Sequence, residues 1–246
     1  RPELHERTNA AEIALSDCSS DKAPTAFREL PHLVLACSRS PSLWLNAYVQ
    51  FATCIGWTFL ATWLPSYLKT ELQVDDAKGA FITSTILFAG IPAQLLGGCF
   101  CDWSARTFGL RWGRVFPVAM TSLIAAVAYL LCPALSGVWS IALCCAIVSF
   151  MTDLGNPTFW AYAQDVGRKD TAAVLGWCNM FGNFGSALSA AIIPLLRQWG
   201  TEHGFGTTPL FVVFGFAYLS CAVAVLGMDA TKPIVLRTRE LAEAPE

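Results

Sequence analysis

Residues 150–186 read FMTDLGNPTFWAYAQDVGRKDTAAVLGWCNMFGNFGS, two apolar stretches joined by a short charged turn from Asp165 to Asp170. Apolar stretches of this length are typical of membrane-spanning helices, in which a central carboxylate costs roughly 2.5–3.5 kcal/mol on the lenient insertion scale. Asp153 lies in the first stretch, and the amides Asn179 and Asn183 lie in the second. Polar groups at such positions indicate function, so we predict that these three side chains belong to a solute pathway.

The composition of the whole chain agrees with this prediction. Of its 246 residues, 54% are hydrophobic and 14% are charged, whereas soluble domains carry about 25% charged residues. The formal net charge of −2 gives no support for a nucleic-acid partner. The 10 cysteines show no zinc-finger or redox spacing, so we expect no disulfide framework, no metal site and no cofactor.

The apolar stretches predict an all-α membrane protein with six transmembrane helices. A helix needs about 20 apolar residues to cross a hydrocarbon core of roughly 30 Å. The uncharged stretch 115–152 is too long for one crossing, and Pro133 and Gly137 divide it. The predicted spans are 43–68, 79–101, 115–133, 138–164, 171–196 and 209–228. Residues 1–40 are expected to form a cytoplasmic linker, residues 41–230 the helical bundle, and residues 231–246 a cytoplasmic tail.

The basic residues predict the orientation of the bundle. Six spans place both ends on one side, and 13 of the 16 Lys and Arg residues then lie on that side. Only Lys69, Lys78 and Arg197 lie on the other side. The positive-inside rule therefore predicts cytoplasmic termini in a multi-pass protein of the cell (inner or plasma) membrane.

The segment 97–114, GGCFCDWSARTFGLRWGR, resembles the short cytoplasmic loop signature of the major facilitator superfamily. Its matching positions are Gly98, Asp102, Arg106, Gly109 and Arg114. The carboxylate can dock on a helix N-terminus or an arginine, and the arginines hold the loop at the inner surface. Asp102, Arg106 and Arg114 are therefore predicted to act in conformational change; an ordinary basic loop is the alternative.

Longer motifs resemble the anion:cation symporter family within that superfamily. They are WTFLATWLPSYL at 57–68, DVGR at 165–168 and GWCNMFGNFG at 176–185. The resemblance implies that the six spans are helices seven to twelve, the C-terminal bundle of a transporter built from inverted three-helix repeats. Its implied partners are the lipid bilayer and the N-terminal six-helix half of the same transporter.

The resemblance also implies substrate-binding residues. In sugar-acid relatives a glutamine early in helix seven, a tryptophan on helix ten and an asparagine on helix eleven contact the substrate, which indicates Gln50, Trp160 and one of Asn179 or Asn183. Trp57 lies seven residues after Gln50, on the same helical face. The alternatives are an interhelical bond for Gln50, packing for both tryptophans, and interhelical hydrogen bonds for the asparagines.

Other polar and small residues are assigned separately. Asp153 could carry a proton, bind a cation or accept a buried hydrogen bond, and all three roles stay open. Gly182, Gly185 and Ser189 are expected to form a close helix-packing stripe.

These residues predict the C-terminal half of a secondary transporter, and no enzyme, because the chain shows no nucleophile–base set. The implied substrates are organic anions such as sugar acids, hexuronates or related carboxylates. The implied mechanism is proton symport with alternating access, with sodium as the other possible coupling ion. The alternative from another class is a transporter-like membrane sensor or a non-transporting structural half.

Overall fold

The computed structural model describes residues 26–234, except for the side chains of residues 26–30 and 169. Residues 37–234 form one compact unit. No strand occurs within the described range, which confirms the all-α class. The helices are α1 (Ala26–Arg39), α2 (Pro41–Thr58), α3 (Leu64–Thr70), α4 (Asp76–Phe88), α5 (Gly90–Leu131), α6 (Val138–Gly167), α7 (Thr171–Glu202) and α8 (Thr208–Ala224). Residues 26–39 of the expected linker thus form a helix, while residues 1–25 and 235–246 lie outside the described chain.

The first predicted span consists of α2 and α3 joined by a π-helical turn, Phe59–Trp63. Ser40 begins α2 by accepting a hydrogen bond from the Leu43 amide at 3.3 Å, and Pro41 occupies the first turn. Proline suits that position because its missing N–H would have no helical partner there. A π-helical turn inserts an extra residue into the helix, and such turns are frequent at functional sites.

The second and third predicted spans form a helical hairpin. The helical segment Asp76–Ala134 has 59 residues; a straight helix of that length would measure about 88 Å, far more than a bilayer core. The chain reverses at Gly109, whose φ of 74° and ψ of 173° are non-helical. Beyond the turn, Gly113 lies directly against the backbone of Ala105. The predicted loop between the two spans is therefore wrong in one respect: it is helical on both sides of a tight turn at Gly109.

Four helical segments of the described chain are long and apolar enough to cross a membrane. They are Asp76–Ala134, Val138–Gly167, Thr171–Glu202 and Thr208–Gly227. The hairpin segment contains two predicted spans, and Val138–Gly167 and Thr171–Glu202 each contain one and extend a few residues beyond its end. Thr208–Gly227 is offset by one residue from the predicted span 209–228. The first predicted span, 43–68, is not among these four segments. The other five predicted spans coincide with helices, while the six membrane crossings stay a prediction.

Small residues allow the helices to approach closely. The closest neighbours are α5 with α6, α2 with α7, and α5 with α8. On α7, Gly185 lies against the backbone carbonyl of Phe51, and Ser189 Oγ donates a hydrogen bond to the Ile55 carbonyl at 2.7 Å. These contacts confirm the predicted packing stripe on α7.

The two ends of the compact unit lie together. Ser42 Oγ lies 2.6 Å from the Tyr162 hydroxyl and accepts a hydrogen bond from the Asp229 amide at 2.8 Å. The Ile234 amide donates to the Val166 carbonyl at 2.9 Å. Both ends therefore lie beside the charged turn at residues 165–170.

Candidate solute groove

One face of α6 carries four polar side chains on successive turns: Asp153, Asn156, Trp160 and Gln164. Their spacings of three and four residues place them on one side of the helix. Asp153 and Asn156 are half-buried, and the other two are exposed. This stripe faces two adjoining grooves that share the residue Gln94 from α5.

The first groove surrounds Asp153 and has a volume of about 480 Å³. Gln94 Nε2 donates a hydrogen bond to Asp153 Oδ1 at 3.2 Å. Gly90 lies directly against Oδ2, so that a Cβ at this position would overlap the carboxylate. The remaining lining is mostly apolar and consists of Trp57, Ala61, Leu87, Ile91 and Leu95. Asp153 thus lies at the polar end of an otherwise apolar groove.

The second groove surrounds Trp160 and has a volume of about 380 Å³. Trp160 Nε1 donates to Asn156 Oδ1 at 3.3 Å, and the indole is 48% exposed. Trp160 is thus not part of the core of the described unit, and its role in substrate binding stays a prediction. The lining residues are Gln94, Asn156, Pro157, Trp160, Ala161 and Gln164.

Apart from the Asp153 carboxylate, the polar groups that line the two grooves are neutral. Three primary amides, each with two donors and one acceptor, and the indoles of Trp57 and Trp160 line them. Neither lining includes a Lys or Arg. The grooves therefore offer neutral hydrogen-bond donors to the oxygen atoms of a solute.

The structure brings only some of the predicted site residues together. Trp57, Asp153 and Trp160 line the adjoining grooves, with Trp57 39% exposed. Gln50 lies instead at the α2–α7 contact, where a Cβ added at Gly182 would lie 4.0 Å from the Gln50 Cβ. It therefore lies at the level of the α7 asparagines.

Asn179 and Asn183 are both exposed on α7. Among the described residues no hydrogen bond joins either of them, or Gln50, to a neighbouring helix. Interhelical bonding, the alternative for these three amides, is therefore not found in residues 37–234.

The predicted conformational residues separate into two environments. Arg114 is buried; its Nε donates to Asp165 Oδ2 at 2.7 Å and its Nη1 to Cys101 Sγ at 2.7 Å. Asp102 and Arg106 are exposed, and neither makes an ion pair within the described chain. Arg114 is the residue that ties the Gly109 hairpin to α6.

Sequence reasoning missed Gln94, Asn156 and Gln164. Gln94 is an amide inside the uncharged stretch 79–101, and such a residue is a signal in its own right. Asn156 and Gln164 flank Trp160 at four-residue spacing. Reading every turn of the face between Asp153 and Trp160 finds Asn156, and extending that face by one turn finds Gln164.

Comparison with known proteins gives two kinds of similarity. The family model described as Major Facilitator Superfamily matches residues 47–245. A protein of Cupriavidus necator named "Probable sulfoacetate transporter" is 26% identical, covering 100% of this chain and 54% of its own length. A protein of Arabidopsis thaliana named "Probable anion transporter 6, chloroplastic" is 24% identical, covering 82% of this chain and 39% of its own length. The chain thus spans about half the length, or less, of these relatives.

Proposed function

Because this chain belongs to the Major Facilitator Superfamily, we propose that it is the C-terminal half of a secondary transporter for small organic anions. Two relatives named as transporters, one for sulfoacetate and one for anions, support this reading. The complete transporter would add an N-terminal six-helix half and work by alternating access with proton symport.

In this proposal the chain crosses the membrane six times. Residues 41–70, the two arms of the Gly109 hairpin, α6, α7 and α8 each form one span. The one-sided distribution of Lys and Arg supports cytoplasmic ends for the bundle. Contact of Asp229 with Ser42 and of Ile234 with Val166 supports placing the two ends on one side.

The observation that carries the proposal is the line of polar side chains along α6 and Gln94. Transporters of this class bind solute near mid-membrane, where unused polar groups are costly. Here the indole N–H of Trp160 and the amides of Gln94, Asn156 and Gln164 line open grooves on the surface of the half. A second half packed over this surface would enclose a polar cavity.

The lining favours an anion with several oxygen atoms. Neutral amides match hydroxyl, carboxylate and sulfonate oxygens without requiring a charge. Since no cation lines either groove, the negative charge would be met by the other half of the transporter. We therefore propose sugar acids, hexuronates and short sulfonated carboxylates as the substrate class.

The test is uptake by the full-length transporter reconstituted in liposomes with an inward proton gradient. Radiolabelled galactonate, glucuronate and sulfoacetate are the probes. We expect at least one to accumulate, and Trp160→Ala to weaken its apparent affinity roughly two- to tenfold, because a neutral hydrogen bond contributes about 0.5–1.5 kcal/mol. Asn156→Ala should act in the same direction.

Trp139→Ala is the matched control, since this indole is also exposed but lies on α6 outside both grooves. Equal effects of Trp160→Ala and Trp139→Ala would contradict the groove as the substrate site. Binding of a probe without any uptake would favour the transporter-like sensor instead.

A further inference from the structure

We propose that Asp153 and Gln94 form a proton-binding site in this half of the transporter, with the Asp153 carboxylate as the group that takes up and releases the proton. The inference rests on the proposed function only for its role in transport. The site itself follows from the contacts of the carboxylate. Protonation converts the carboxylate to a neutral carboxyl group, and no other bond forms or breaks.

The first argument is the absence of a counter-charge. Asp153 is half-buried on α6, and it makes no ion pair with a Lys, Arg or His in the described part of the chain. Its single hydrogen-bond donor there is the neutral Gln94 amide. Within the described part of this half no cation offsets the charge of Asp153, so binding of a proton is the means by which this half can neutralise it.

The second argument is the chemistry of the partner. A primary amide carries two N–H donors and one carbonyl acceptor. The ionised carboxylate accepts from Gln94 Nε2, as observed at 3.2 Å. After protonation the carboxyl O–H can donate a hydrogen bond to the Gln94 side-chain carbonyl, once the Gln94 amide has rotated so that its oxygen faces Asp153. Gln94 can thus hold both protonation states, whereas an arginine would hold only the ionised one.

The third argument distinguishes a proton from a metal cation. A bound cation requires several oxygen ligands, supplied by carboxylates, carbonyls or waters. Apart from the Asp153 carboxylate, the Gln94 amide supplies the one side-chain oxygen of this lining, and the other residues there are Trp57, Ala61, Leu87, Gly90, Ile91 and Leu95. Gly90 also lies directly against Oδ2, where a ligand would otherwise approach. The groove therefore offers a hydrogen-bond donor from Gln94 and close backbone contact from Gly90, but not the several oxygen ligands that a metal cation requires.

The groups that face Asp153 from neighbouring helices are few. The Gln94 amide comes from α5, and the Trp57 indole comes from α2. From α8, the Tyr218 hydroxyl lies 2.9 Å from Oγ1 of Thr152, the residue before Asp153. Among these groups Tyr218 is the other one that can ionise, and a phenol ordinarily does so only at about pH 10, well above the ordinary range of a carboxyl group. Asp153 is therefore the titrating group of the cluster.

The test is infrared difference spectroscopy of the purified full-length transporter between alkaline and acidic buffer, which needs no substrate. We expect a carboxyl C=O stretching band at the high frequency of a group shielded from water. Asp153→Asn should abolish this band, and Gln94→Met should keep it with a shifted frequency. The matched control is Glu202→Gln. The Glu202 carboxylate is exposed and accepts a hydrogen bond from Gln198 Nε2 at 2.8 Å. This variant should lose only a low-frequency band.

The outcomes separate this inference from the proposed function. A shielded band that survives in Asp153→Asn overturns the inference, as does a sodium-dependent change at constant pH that disappears in this variant. If Asp153→Asn does not fold, the Gln94→Met spectrum tests the inference instead. A carboxyl C=O band at the same frequency as in the parent protein would show that the protonated group does not contact Gln94. A band that behaves as expected in a protein that transports none of the probes leaves the proton site standing and refutes anion transport.

Discussion

The contact between α2 and α7 can be tested with two glycines of the same helix. A Cβ added at Gly185 would overlap the backbone carbonyl of Phe51, and it would lie 2.9 Å from the Phe51 carbonyl carbon. A Cβ added at Gly176 would meet nothing within 4 Å. Gly185→Ala therefore forces the two helices apart, whereas Gly176→Ala does not.

The expected magnitude follows from three terms. Overpacking against a backbone atom costs about 1–3 kcal/mol, because a backbone cannot turn aside as a side chain can. Separation also weakens the bond from Ser189 to Ile55, and bonds of this kind in bilayer proteins contribute about 0.6 kcal/mol. Alanine improves helix propensity by about 0.8–1 kcal/mol in both variants, so this term cancels. Gly185→Ala should thus be less stable than Gly176→Ala by about 1.5–4 kcal/mol.

The measurement is unfolding of the full-length transporter in mixed micelles titrated with sodium dodecyl sulfate, followed by tryptophan fluorescence. Gly176→Ala is expected to unfold at the same or a higher detergent fraction than the parent protein, and Gly185→Ala at a lower one. Equal stability of the two variants would show that α7 does not approach α2 at Gly185. The reasoning from backbone contact would then be refuted.

Three further predictions concern the hairpin side of the bundle. Replacing either Arg114 or Asp165 by alanine should cost less than the roughly 3–5 kcal/mol of a fully buried pair, because the charge left without its partner is only partly buried; a double-mutant cycle in the same unfolding assay should show coupling, and additive effects would contradict it. An impermeant thiol reagent added to sealed cells should label Asp76→Cys, which the proposal places outside, but not Thr107→Cys, which it places in the cytoplasm. The reverse pattern would show that the proposed orientation is wrong. Asp102→Asn should slow transport while leaving substrate affinity within a few-fold, whereas a large loss of binding would make this exposed carboxylate part of the site.

Helix positions could be predicted from the sequence because they depend on local composition. A stretch such as 171–196 has no charged residue and is long enough to cross a bilayer, whatever its neighbours are. The division of the stretch after residue 115 was also predictable, since Pro133 ends one helix and Gly137 begins the next. The Gly109 reversal was harder to place, because helical residues continue on both sides of it.

The candidate site was only half predictable for a physical reason. Asp153 and Trp160 were identified because a carboxylate and an indole at seven-residue spacing share a face of one helix. Their partner Gln94 lies 59 residues away along the chain from Asp153 and meets it across a helix interface. Periodicity within one helix carries no information about which helix lies opposite.

The sequence by itself therefore determined that this protein is helical, belongs in a bilayer and carries polar groups in the middle of its spans. Hydrophobicity and helix length depend on consecutive residues, so no contact had to be known. Tertiary structure decided that Gln94 meets Asp153 and that Arg114 meets Asp165 rather than Asp102 or solvent. These pairings depend on where the helices cross. Small residues such as Gly90 set those interfaces, because a Cβ at position 90 would overlap the Asp153 carboxylate.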